Sequence, residues 1–233
     1  MSFLHQLLSA LHLIVSSQEI WQIAFLSFFV SITAVLFSSL VGIPIGAILG
    51  LKKSNENIFL ISFLNMSVGL PPVLVGLVVY LLISRSGPFG ALQLLFTAPA
   101  MVIAQFILTL PIVIALTRSS IKNLPEELDE TLWSLGASKA QRIYLTINEA
   151  RFGIFVAMFI AFGRAISEVG AIMIVGGNIR YRTRVLTTAI ITEVSKGELE
   201  MALALGILLL TLSYFFTFWL TLLQFRSKEK SSK

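Results

Sequence analysis

Residues 20–51 read IWQIAFLSFFVSITAVLFSSLVGIPIGAILGL and contain no Asp, Glu, Lys or Arg. A helix rises 1.5 Å per residue, so such a run is long enough to cross the roughly 30 Å hydrocarbon layer of a bilayer. Its few polar residues are Ser, Thr and Gln, scattered without helical period, so no face is prepared for water. Three more stretches, 57–84, 86–117 and 201–225, are equally free of charge. A fifth, 152–179, is interrupted only by Arg164 and Glu168. The predicted fold is therefore all-α and polytopic, with five transmembrane helices.

Composition agrees with the local reading. The chain is 56% hydrophobic and 12% charged, against about 25% charged residues in ordinary globular domains. Residues 1–18 are apolar but short, with no basic start and no small-residue cleavage pattern, and are predicted to be an interfacial helix and not a removed signal peptide. Residues 19–225 then form one membrane domain with no linker or internal repeat, and 226–233 a frayed cytoplasmic tail. The apolar stretch 185–194 is too short to span and reads as re-entrant or interfacial. There is no Cys, which excludes disulfides and thiolate metal sites. His5 and His12 have no third ligand type nearby, so no metal site is expected.

Five spans put the termini on opposite sides. The segments 52–56, 118–151 and 226–233 share one side and carry eleven Lys and Arg, whereas 1–19, residue 85 and 180–200 carry five. The positive-inside rule makes the first side cytoplasmic, with the N-terminus outside and the C-terminus inside. The net charge of +5 is thereby accounted for as a topology signal. Within the spans, Gly42, Pro44 and Gly46 are expected to interrupt the first, and Gly69-Leu70-Pro71-Pro72 the second. Pro removes a backbone bond, and such breaks either line a pathway or serve as packing kinks.

The only sizeable cytoplasmic loop is 118–151, and its punctuation is that of two short helices. Pro125, Glu126 and Glu127 form a helix start, with acidic groups at the positive end of the dipole. Leu128, Leu132 and Leu135 are expected on one face, Gly136 stops the helix, and Ser138 with Gln141 forms a capping box that starts the next. A helix-turn-helix invites comparison with DNA readers. The loop, however, carries five basic and five acidic residues, a poor footprint for a polyanion. A protein partner fits it better.

The stretch Glu130-Thr131-Leu132-Trp133-Ser134-Leu135-Gly136-Ala137 resembles the coupling motif of ABC importer permeases, in which Glu-Ala-Ala precedes Gly by three residues. Glu130 and Gly136 match, and Thr131 and Leu132 stand in place of the two alanines. The stretches 69–76, 84–90, 163–170 and 176–179 resemble tungstate permeases, with related molybdate and sulfate permeases sharing the general pattern. The resemblance covers roughly residues 20–225. It implies the type I importer permease fold in a prokaryotic plasma or inner membrane. It also implies a homodimer of permeases, two ATPase subunits docked at Glu130, Thr131, Leu132, Gly136, Ala137 and Ser138, and an external oxyanion-binding protein. No Gly-x4-Gly-Lys-Ser/Thr is present, so ATP and Mg are expected on the partner ATPase, with no cofactor and no catalysis on this chain.

Arg164 and Glu168, four apart on one expected helix, carry two readings. They are a structural pair locking helices, or they line the pathway, with Arg164 attracting a dianion and Glu168 tempering the attraction. Outside, Arg180, Arg182 and Arg184 concentrate positive charge against the topological bias. They either receive the anion or the binding protein, or form a solvated loop. A secondary anion transporter would need several buried carboxylates or inverted repeats. A membrane enzyme would need a catalytic cluster, and neither is found.

Overall fold

A computed structural model describes residues 3–51 and 58–231. Among these the elements are helices α1 (Phe3–Ser16), α2 (Gln18–Gly50), α3 (Ile58–Val68), α4 (Pro72–Ile83), α5 (Ala98–Lys122), α6 (Glu126–Ser134), α7 (Lys139–Glu149), α8 (Arg151–Ile166), α9 (Gly170–Gly176), α10 (Leu186–Lys196) and α11 (Leu199–Ser231), with a 3-10 turn at Gly90–Leu92. No described residue lies in a strand. Three helices are long and apolar enough to cross a membrane: α2, α5 and the Leu199–Trp219 part of α11. Two broken pairs, Ile61–Val68 with Pro72–Ile83 and Lys139–Glu149 with Arg151–Ile166, bring the number to five when each pair counts as one span.

The chain divides into two compact units. One comprises residues 34–70 and 106–164. Here α2 and α5 meet along residues spaced by four. Ser38 Oγ lies 2.6 Å from Thr109 Oγ1. A Cβ added at Gly42 would stand 3.0 Å from Val113 Cγ1, at Gly46 2.8 Å from Thr117 Cβ, and at Gly50 2.9 Å from Ile121 Cβ. Residues four apart occupy one face of a helix, so the sequence Ser38, Gly42, Gly46, Gly50 is a groove and Thr109, Val113, Thr117, Ile121 the ridge that fills it. Small residues permit this approach where lipid offers no hydrophobic drive for helix association.

This packing corrects the expectation for Gly42, Pro44 and Gly46. The span is not interrupted, and α2 runs through with Pro44 inside it. The one ladder bond that Pro lacks is outweighed by continuous packing on both sides of it. The break at residues 69–71 does form, separating α3 from α4. Near the end of α2, Ala47, Ile121, Ala150 and Ile154 make a buried cluster with Ile43, Leu51, Leu124, Ile143 and Ile147 around it. Helices α7 and α8 bend by 70° at Ala150, which is buried in that cluster.

The other unit comprises residues 1–33, 71–105 and 165–233. Ala10, Ile20, Ile23, Ala24, Leu186, Ala189, Ala204, Leu205 and Leu208 form its buried cluster. The N-terminal segment is helical as α1 and packs along α11. The stretch expected to be re-entrant or interfacial forms α10, which buries Leu186, Thr187, Thr188, Ala189 and Glu193 and packs on α11. Helices α4 and α9 press backbone to backbone: a Cβ at Gly76 would stand 2.6 Å from Ala171 Cα, and one at Gly170 2.7 Å from Val73 Cγ2.

Three boundaries differ from those read in the sequence. The charge-free run 86–117 is helical only from Ala98. Before it, Gly87 and Gly90 abut the carbonyls of Leu81 and Ser84, space that a side chain would fill. Phe96 N–H donates to Val175 O at 2.9 Å, tying this turn to α9. The run 152–179 is split into α8 and α9. The tail is helical through Ser231, not frayed, because propagating an existing helix adds one bond for each residue fixed. Residues 232–233, and Lys52 and Lys53 of the topology argument, lie outside the described residues.

Candidate functional site

The 118–151 loop forms the expected hairpin, and its geometry follows from a few residues. Pro125 precedes α6 with φ −56° and ψ 137°, which its ring favours. At the far end Gly136 N–H donates to Trp133 O and Ala137 N–H to Leu132 O, both at 3.0 Å. This double closure is the Schellman motif, and it needs a left-handed residue at the Gly136 position. Gly136 has φ +75° with nothing within 4 Å of where a Cβ would be, so backbone conformation alone selects glycine there. Ser138 then caps α7: its N–H donates to Gln141 Oε1 at 2.8 Å and its Oγ accepts from Gln141 N–H at 3.4 Å.

Side chains on α6 distribute differently from the expectation of a single leucine face. Leu128 and Leu132 are half-buried, but Leu135, the C-cap, is 77% exposed. The helix ends there, so the four-three spacing no longer aims Leu135 at the packed side. Trp133 and Tyr144 are 72% and 71% exposed. Glu130 is exposed, and Thr131 Oγ1 donates to Glu127 O at 2.7 Å. The hairpin therefore exposes three large side chains, Trp133 and Leu135 at the turn and Tyr144 along α7, on a braced backbone, and large exposed apolar groups of this kind mark interaction surfaces. Trp133 and Tyr144 were absent from the sequence-derived site, although their size and aromaticity in a polar loop are a legible signal.

Arg164 and Glu168 do not share one helix. Arg164 lies in the last turn of α8, which ends at Ile166. Glu168 follows the break, 4% exposed, where its Oε1 accepts the Ala171 N–H at 3.1 Å and its carbonyl accepts from Thr187 Oγ1 at 2.8 Å. The carboxylate serves an otherwise unsatisfied helix-start donor at the beginning of α9. Close by in the sequence, Ala165 O accepts from Nε2 of Gln105 at 2.8 Å. Gln105 is 4% exposed, a buried polar group that hydropathy reading passes over.

Arg180, Arg182 and Arg184 sit on a tight turn in which Asn178 and Tyr181 take positive φ. Buried Thr183 holds it, donating its hydroxyl to Gly176 O and accepting from Ile179 N–H at 2.9 Å. Arg180 grips Glu19 through two hydrogen bonds, Nε to Oε1 at 2.7 Å and Nη2 to Oε2 at 2.6 Å. The carboxylate raises the pKa of that guanidinium above its ordinary value, chiefly through these bonds. Arg184, 12% exposed, lies 3.9 Å from Glu19 and 3.4 Å from Glu193, which Lys196 also reaches at 2.9 Å. Two of the three arginines are thus engaged by carboxylates. Exposed Arg182 lines, with Glu19, Gln22, Tyr181 and Arg184, a cleft of about 440 Å³.

Residues 42–229 match the family described as the binding-protein-dependent transport system inner membrane component. The chain belongs to this family. The permease is 44% identical over 207 residues to a tungstate uptake system permease protein of Peptoclostridium acidaminophilum, covering 88% of this chain and 91% of that one. A probable anion ABC transporter permease protein of Haloferax volcanii is 42% identical over 191 residues, covering 80% and 82%. Among solved structures, a chain of the inward-facing MetNI methionine ABC transporter matches the permease with a TM-score of 0.71 at 16% identity. That match covers 86% of this chain and 92% of the other. The ABC importer permease fold expected from the 130–137 motif is thereby established, and with it a role in transport through a membrane.

Proposed function

We propose that two copies of this permease form the translocation path of an importer for a tetrahedral oxyanion, tungstate, in a prokaryotic plasma membrane. Two ATPase subunits dock from the cytoplasm on the α6–α7 hairpin, and an oxyanion-binding protein delivers the anion from the other side. ATP is hydrolysed on those subunits, with this chain supplying no catalytic group. The N-terminus is external and the C-terminus cytoplasmic, in keeping with the eleven-to-five distribution of Lys and Arg and the positive-inside rule.

The observation that carries this reading is the hairpin turn at Gly136. Its two backbone closures and the Ser138–Gln141 box brace α6 against α7, so a push on Trp133 or Leu135 reaches α8 with little internal give. Glu130, Thr131, Leu132, Gly136, Ala137 and Ser138 form the contact with the ATPase. The substrate follows from the tungstate and anion permeases to which the chain is 44% and 42% identical. Arg182 is the external cation to which a delivered anion or an acidic rim is drawn. Arg164 contributes positive charge near the path, while Glu168 holds the α8–α9 break.

The test is uptake by the complete complex in sealed vesicles, with ATP on the ATPase side and the binding protein on the other. Tungstate accumulation that requires ATP, and that molybdate and sulfate compete against only weakly, is the expected result. Absence of uptake for all three oxyanions would overturn the assignment, and preferential uptake of molybdate or sulfate would replace the substrate.

A further inference from the structure

A second cleft, of about 250 Å³, opens between the end of α2 and the start of α7 and is lined by Ile48, Leu51, Lys139, Arg142 and Ile143. Its composition is two-sided. Ile48, Leu51 and Ile143 supply an apolar floor, and Ile48 remains 42% exposed. Lys139 and Arg142 supply a cationic rim, three apart on α7 and so on one face of it. Leu51 is also where the charge-free run 20–51 ends, with Lys52 and Lys53 next in the sequence. The cleft therefore stands where an apolar span gives way to the positively charged, cytoplasmic side.

We propose that this cleft is a binding site for an anionic phospholipid of the inner leaflet. The acyl chain lies on Ile48, Leu51 and Ile143, and the headgroup phosphate is held by Lys139 and Arg142. A basic pocket at the cytoplasmic ends of membrane helices has the chemistry for an anionic headgroup, and long basic side chains lie along apolar surface while keeping the charge at the interface. A free oxyanion would use the rim but leave the floor open. A lipid uses both, which is why the lipid is preferred. Because α7 is half of the hairpin, an occupied cleft would seat that hairpin against the end of α2. The assignment needs only the cytoplasmic placement of the loop and not the identity of the transported anion.

The experiment is native mass spectrometry of the full chain in a nonionic detergent, titrated with phosphatidylglycerol or with phosphatidylcholine of the same acyl chains. A third arm uses inorganic phosphate. Each cation near an anionic lipid is worth about fivefold in occupancy, so the wild-type chain should retain phosphatidylglycerol roughly tenfold or more over phosphatidylcholine. The double variant Lys139→Gln/Arg142→Gln should lose most of that preference, while Arg85→Gln, at a remote basic position, should keep it. Equal retention of the two lipids by the wild type, or an unchanged preference in the double variant, overturns the proposal. So does phosphate displacing the lipid at equal concentration, which would mark a site for free anions. Thermal stability of each variant is followed in parallel, and a double variant that melts as the wild type does while losing the preference separates loss of binding from loss of fold.

Discussion

Ser38 Oγ and Thr109 Oγ1 lie 2.6 Å apart, and this contact is the first rung of the α2–α5 packing that continues through Gly42, Gly46 and Gly50. Both side chains are fully buried. Removing one hydroxyl leaves the other without this partner, so Ser38→Ala should destabilise the permease by about 0.6–1.7 kcal/mol, the range for hydrogen bonds between membrane helices. Thermal denaturation in detergent measures it, and an unchanged melting temperature would show the rung to be dispensable.

Gly46 stands lower on the same groove, where a Cβ would meet Ile114 O at 2.7 Å as well as Thr117 Cβ at 2.8 Å. Backbone oxygen does not yield as a flexible side chain does. Gly46→Val should therefore cost about 1–3 kcal/mol or more. Gly163→Val, with nothing within 4 Å of its would-be Cβ, is the control. Comparable losses of folded yield in the two variants would discredit the groove.

At the hairpin, Gly136→Pro removes the N–H that closes on Trp133 O and imposes a negative φ where the chain has +75°. The expected outcome in the assembled complex is ATP hydrolysis without uptake. Glu130→Lys, which reverses charge on the exposed face of α6, should act in the same direction. Uptake at the wild-type rate in both variants would remove the coupling assignment.

Ser138→Ala deletes the side-chain acceptor of the capping box and should cost about 1 kcal/mol of local stability. Ser138→Asp, which restores an acceptor at a helix N-terminus, should recover most of it. Hydrogen exchange over residues 139–143 reports the change, and identical exchange in all three proteins would mean the cap is not used.

Charge at the 178–184 turn offers a fifth check. Arg180→Glu sets two carboxylates against each other at Glu19, whereas the exchange Glu19→Arg with Arg180→Glu restores opposite signs. The single variant should loosen the turn, read as faster hydrogen exchange at residues 178–184, and the double variant should recover. Arg180 is 58% exposed, so the global melting temperature should move little in either. A single variant with wild-type exchange would leave the pair without a structural role.

Local rules were legible in the residues alone. Charge-free length marked the spans, and Pro125, Gly136 and Ser138 with Gln141 marked a hairpin that forms as read. Each such signal is decided within a few residues, by hydropathy, by the conformations open to Gly or Pro, or by a side chain reaching its own neighbouring backbone. What required the tertiary structure was every outcome set by a partner distant in the chain. Glu19 finds Arg180 across 161 positions, and Gly42 and Gly46, which read as breaks, turn out to be the seats of Val113 and Thr117. The division between α8 and α9 belongs with these. Glu168 caps the start of α9 by accepting the Ala171 N–H from a buried position, and burial at a given position is a property of the assembled fold.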